Sequence, residues 1–258
     1  MSAPALRVHW YTLMEPTPTG WLLCARPLLF LGGQLVLGLA LWLGGTATPL
    51  SAAGRWWLVV ATMGNLATLA LLARARRLDG GLRTLWRLSK ATWKGDLAWF
   101  LGFTLVAGPV GWLPNVLLAK ALWAAPDTGN AVLFRPLPTP VLLSLVVVFP
   151  VSQALAELPL YFGQVAPSLR ARGWPSWAAV VVPALVLAAQ HLAMPLEPEA
   201  RYLVWRGLMF LPFALLVGLV LARRPTLLPW LMVVHGLMDA QLPVLTWLVA
   251  TGAMPLST

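Results

Sequence analysis

Apolar runs of roughly membrane-crossing length recur along the whole chain, separated by short polar stretches. They cover residues of about 21–45, 56–73, 97–123, 141–163, 177–194 and 202–222, with a last run from about 227. A helix crosses the hydrocarbon core of a bilayer with about 20 residues, so the pattern predicts an all-α, polytopic transmembrane helical bundle of about seven (six to eight) spans. Gly108-Pro109 and Pro114 predict an interruption of the third run, and Pro243 predicts a split of the last. Such breaks persist in lipid only where neighbours or water satisfy the freed backbone groups, and Asn115 is placed to help. The run 141–163 is expected to continue beyond its apolar end. No repeat of about 20–50 residues is evident, and residues 1–258 read as one integral membrane domain.

Composition agrees with this pattern. The chain is 59% hydrophobic and 10% charged, with a mean hydropathy of +0.78; soluble domains carry about 25% charged residues. The net charge of +10 would suit nucleic acid, but the cations fall into alternating loops, so we exclude that partner. Arg74 to Lys94, Arg170 with Arg172, and Arg223 with Arg224 share one side. The other side holds Arg55, Arg135, Arg201, Asp127, Glu197 and Glu199. By the positive-inside rule the first side is cytoplasmic. The expectation is a multi-pass protein of the cell (inner) membrane with a cytoplasmic N-terminus and the lipid bilayer as a partner. The first twenty residues lack a signal-peptide plan, which leaves the first span as the insertion signal. Cys24 is the single cysteine, which excludes an intrachain disulfide and a Cys-rich metal site.

Segment 74–96 is the most basic. Arg83, Arg87, Lys90 and Lys94 are spaced for one helical face, with Leu82, Leu85, Trp86 and Trp93 mostly on the other. This predicts a short interfacial helix against anionic lipid, or else a solvated basic loop. Trp56, Trp57, Trp93, Trp99, Trp123, Trp174, Trp177 and Trp230 fall near span ends, as interfacial anchors do.

Glu157, His191, His235 and Asp239 lie inside apolar runs. Ionisable groups are costly at membrane depth and mark functional sites when present. Glu157 and His191 flank the turn Gly173-Trp174-Pro175, each about 17 residues from Trp174, or roughly 25 Å along a helix. An antiparallel hairpin would bring them to one depth. His235 and Asp239, at i and i+4, share a helix face. Three chemistries suit the set: Glu157 as general base for a water with histidines stabilising an oxyanion; zinc or another divalent metal held by His191, His235 and Glu157; or a proton relay in a small transporter. The relay would normally come with paired halves, which this chain lacks. The plainer reading of any one such residue is an interhelical hydrogen bond of about 1 kcal/mol. That reading suits Gln34, Asn65, Gln153, Gln190 and Arg206, with Arg206 close enough to a span end to snorkel.

The order Glu157…His191…His235-Gly236-Leu237-Met238-Asp239 resembles the CPBP family of intramembrane proteases, which includes the type II CAAX prenyl endopeptidases and bacteriocin-processing relatives. Its motifs are EExxxRG, FxxxH and HxxxN or HxxxD on separate membrane helices. The likeness covers about residues 140–244, a CAAX-protease-like core in the C-terminal half. Anchored on Gly163, Glu157 takes the place of the first glutamate, while Leu158 and Phe162 replace the second glutamate and the arginine. Leu187 replaces the phenylalanine before His191. The resemblance implies a membrane-embedded endopeptidase acting on a peptide or protein substrate. Glu157 and His191 would hold the attacking water, and His235 and Asp239 would line the oxyanion side. The losses at Leu158 and Phe162 leave room for a non-catalytic member that binds a membrane peptide or partner.

Overall fold

The computed structural model describes residues 19–124 and 128–254. The N-terminal segment and Asp127 lie outside these residues. The chain is an all-α polytopic helical bundle, with 81% of the described residues helical, and it is a multi-pass membrane protein. Helices dominate because each one satisfies its own backbone polar groups where water cannot.

In chain order, α1 spans Thr19–Leu43, α2 Pro49–Gly54, α3 Trp57–Ala75, α4 Arg83–Trp86 and α5 Trp93–Trp123. Then come α6, Thr128–Leu133, and α7, Thr139–Leu158. Helix α7 widens into π-helical turns at Pro159–Val165 and runs on into α8, Ala166–Ala171. Pro159 has no N–H to continue the i→i−4 ladder, so the helix loosens where that bond is missing. Gly173, at φ +83°, closes the turn to α9, Ala178–Ala189, which ends in a 3-10 turn, Gln190–Ala193. Helices α10, Ala200–Met209, and α11, Leu211–Arg223, form one rod, and α12 spans Leu228–Ala250.

Six of these rods are long and apolar enough to cross a membrane. The run expected at 177–194 forms the shorter Ala178–Ala193 helix. Several other expectations change. Helix α5 runs unbroken through Pro109 and Pro114, and α12 runs through Pro243. Asn115 instead accepts the indole N–H of Trp205, at 3.0 Å to its side-chain oxygen. The basic interfacial helix reduces to the four residues of α4, because Arg87 is extended (ψ 121°) and Lys94 belongs to α5. A longer helix would stack like charges at i, i+4 along one face, which is unfavourable. Leu85 anchors α4 against Gly163 and Leu228. Trp57 is buried and donates to the Leu133 carbonyl, so it is a core residue, whereas Trp93, Trp99, Trp174 and Trp177 are exposed.

Of three apolar clusters, one gathers Ala119, Leu133 and Trp205, and the other two occupy opposite ends of the bundle. The one toward the basic end contains Leu22, Leu72, Leu158, Leu187 and Leu231. The other contains Phe30, Ala61, Phe149 and Ala193, with Leu242 packed on it. Five helical elements contribute to both clusters, and on each of them polar residues lie between the two contributions. These are Arg26 on α1, Asn65 on α3, Gln153 and Glu157 on α7, Gln190 after α9, and His235 and Asp239 on α12. A polar layer therefore crosses the bundle between two greasy halves.

Candidate functional site

Glu157 is completely buried at the centre of this layer. One of its oxygens, Oε2, accepts three hydrogen bonds: from Arg26 at 3.0 Å, from Gln153 at 2.7 Å and from Gln190 at 2.6 Å. Gln153 reaches it because i and i+4 share a helix face. Arg26, also completely buried, donates further to Gln190 (3.0 Å), Asn65 (2.8 Å) and Gln153 (3.0 Å). Tyr161 in the π-helical turn donates to Gln190, and Asn65 donates to Ser152. The guanidinium thus fastens α1, α3, α7 and the end of α9 to one carboxylate. Its plane lies over the Phe30 ring, 4.8 Å from the centroid, and Gly64 makes room for that ring, since a Cβ there would sit 2.5 Å from Phe30.

The other oxygen, Oε1, faces α12. His235 Nε2 lies 2.9 Å from it and 3.3 Å from Asp239 Oδ2. Neither approach makes a hydrogen bond, and these three buried atoms have no other partner among the described residues. Glycine brings α12 this close: a Cβ on Gly236 would lie 3.0 Å from Ala154 Cβ and 3.2 Å from the Pro150 carbonyl oxygen. The exposure of the set rises outward, from 0% at Glu157 to 12% at His235 and 15% at Asp239.

His191 is placed differently. The hairpin does bring the end of α9 level with Glu157, but Gln190 makes the contact. His191 Nδ1 lies 2.9 Å from the Leu187 carbonyl oxygen, and its ring stacks on Phe210 with centroids 3.9 Å apart. The structure therefore joins Glu157, His235 and Asp239, with His191 beside them and turned onto another helix. The expected metal set does not assemble. Among the described residues no three His, Cys, Asp or Glu side chains are arranged to hold a metal ion. His191 is engaged elsewhere, and the positive charge of Arg26 beside Glu157 opposes a second cation there.

Sequence reading missed Arg26, although it is the lone charged residue of α1 and so carried the same signal as Glu157. Arg206 was placed at a snorkelling position; it is instead buried, donating to the Met194 carbonyl at 2.8 and 3.2 Å. No family model, curated protein or solved structure matches the chain.

Proposed function

We propose that the chain is a membrane-embedded peptide hydrolase in which Glu157 is the general base. The observation that carries this reading is the asymmetry of its two oxygens. Three donors hold Oε2, and Oε1 is turned toward Nε2 of His235, which Asp239 also approaches. In the proposed step, Oε1 takes a proton from a water as its oxygen bonds to the substrate's carbonyl carbon. The N–H of His235 stabilises the resulting oxyanion. The proton held by Glu157 then passes to the departing nitrogen as the C–N bond breaks. Substrate enters from the Asp239 side, where the set is least enclosed.

The order of Glu157, His191, His235 and Asp239, similar to that of CPBP intramembrane proteases, adds support. Arg26 supplies a guanidinium to Glu157 in a chain that has Phe162 where that family has arginine. His191 takes a positioning role in this version, since it does not touch Glu157. The test is cleavage of an apolar, membrane-inserted peptide by purified protein in vesicles. Glu157→Gln and His235→Ala should each abolish cleavage, and full activity in Glu157→Gln would overturn the reading.

A second reading is favoured by the complete burial of Glu157 and its tie to Arg26. The layer would then be a structural pin in a non-catalytic bundle that binds a membrane peptide. It predicts peptide binding without cleavage by the wild type. Orientation belongs to the same proposal: the basic end lies in the cytoplasm with the N-terminus. In a Cys24→Ser background, Arg83→Cys should react with an impermeant thiol reagent only from the cytoplasmic side.

A further inference from the structure

The proposed step needs the Glu157 carboxyl in one rotation, with Oε1 and not Oε2 toward His235. The last torsion of a glutamate is broad and sets no such preference by itself. Oε1 makes no hydrogen bond among the described residues. The rotation therefore rests on what holds Oε2.

Of the three donors on Oε2, Gln190 makes the shortest bond, at 2.6 Å, and it is the uncharged one that comes from a different element. Gln153 shares α7 with Glu157, and Arg26 supplies the countercharge. A carboxamide can present either its nitrogen or its oxygen. At Gln190 the choice is forced. Arg26 Nε lies 3.0 Å from one end of the amide, and a guanidinium only donates, so that end is the oxygen. The Tyr161 hydroxyl meets the same oxygen at 3.1 Å and donates as well. With its oxygen held from two sides, the amide aims its nitrogen at Glu157. Tyr161 and Gln190 are both completely buried. Tyr161 stands in the π-helical turn Pro159–Val165, one turn beyond Glu157 on the same rod, and such turns are frequent at functional sites.

We infer that Tyr161 and Gln190 are positioning residues for Glu157. The phenol, acting through the amide, fixes the rotation of the carboxyl and so selects Oε1 as the oxygen that meets water. The inference rests on the proposed hydrolase reading and deepens it. Among the described residues no hydrogen bond joins Tyr161 or Gln190 to His235 or Asp239; both act on the reaction through Glu157.

Two readouts separate this role from a merely structural one. The first is the set of Glu157 stretching bands in the infrared, recorded in nanodiscs and isolated by subtracting a Glu157→Gln counterpart in each background. These bands report how unequally the two oxygens are bonded. The second is the division between kcat and KM on an apolar, membrane-inserted peptide. Tyr161→Phe removes one oxygen atom and strands no charge. It should move the Glu157 bands and lower kcat about three- to tenfold with KM unchanged, the size of one neutral hydrogen bond. Gln190→Ala should move the bands further and lower kcat about a hundredfold, as for a misplaced reacting group. Thr68→Val is the control. It removes an equally buried hydroxyl, one that bonds the Gly64 carbonyl of its own helix, and should leave the bands and kcat as in the wild type. Unmoved bands in a folded Tyr161→Phe would overturn the inference, and that comparison stands even if Gln190→Ala fails to fold. A fall in kcat as large in Thr68→Val as in Tyr161→Phe would overturn it too. Shifted bands in a protein that cleaves nothing would support the positioning and defeat the hydrolase reading. Cleavage that needs Glu157 but is unchanged in both Tyr161→Phe and Gln190→Ala would do the reverse.

Discussion

Two arginines, both removed from solvent, lead different lives in this bundle. Arg26 meets a carboxylate and three side-chain amides contributed by α3, α7 and the end of α9. Arg206 meets a backbone carbonyl, a sulfur and two aromatic faces. The first cation is matched in charge and geometry, so it serves as a fastener. The second is solvated by dipoles and π faces and has no carboxylate within ion-pair distance among the described residues. Equal burial therefore does not mean equal role; the partner set decides.

Substitutions separate the two cases. The largest effect is expected from Arg26→Met, which strands the Glu157 charge and should cost about 3–5 kcal/mol of stability. Thermal unfolding in nanodiscs would register it. Adding Glu157→Leu should recover most of that loss, because no unpaired charge is left; a double variant as unstable as the single would show that the pair is not the fastener. Next comes Gly236→Val. Its branched side chain collides with Ala154 and the Pro150 carbonyl and should cost about 1–3 kcal/mol. It also drives His235 away from Glu157, so any cleavage activity should fall further than stability does. Arg206→Met should be milder than Arg26→Met, at about 1 kcal/mol for the lost bonds to Met194. Equal losses at the two arginines would erase the distinction drawn between them. Lys90→Ala, on the exposed basic end, should change stability by less than about 0.5 kcal/mol.

Much of this arrangement was legible in the chain. Glu157, His235 and Asp239 declared themselves as ionisable residues within apolar runs, and the i, i+4 spacing correctly placed the last two on one face. The match in depth across the Gly173 turn was legible as well, because helical rise converts residue number into height. Arg26 showed the same signal in α1 and was passed over. Arg206 was misjudged for a physical reason: distance from a span end does not say which face of the helix turns inward. The proline breaks expected in α5 and α12 did not form, since a helix in lipid loses more by unwinding than by leaving a single carbonyl unpaired.

Sequence alone determined the class of protein, the helical rods, the concentration of cations at one end and the height of the polar residues. Those properties depend on composition and on the constant rise of a helix, which neighbours barely alter. Tertiary structure decided which side chains meet. Successive residues on a helix point about 100° apart, so Gln190 faces Glu157 while His191 faces Phe210. That choice is a rotation of α9 about its own axis. It is settled by packing against α1, α10 and α11, and no spacing along the chain records it.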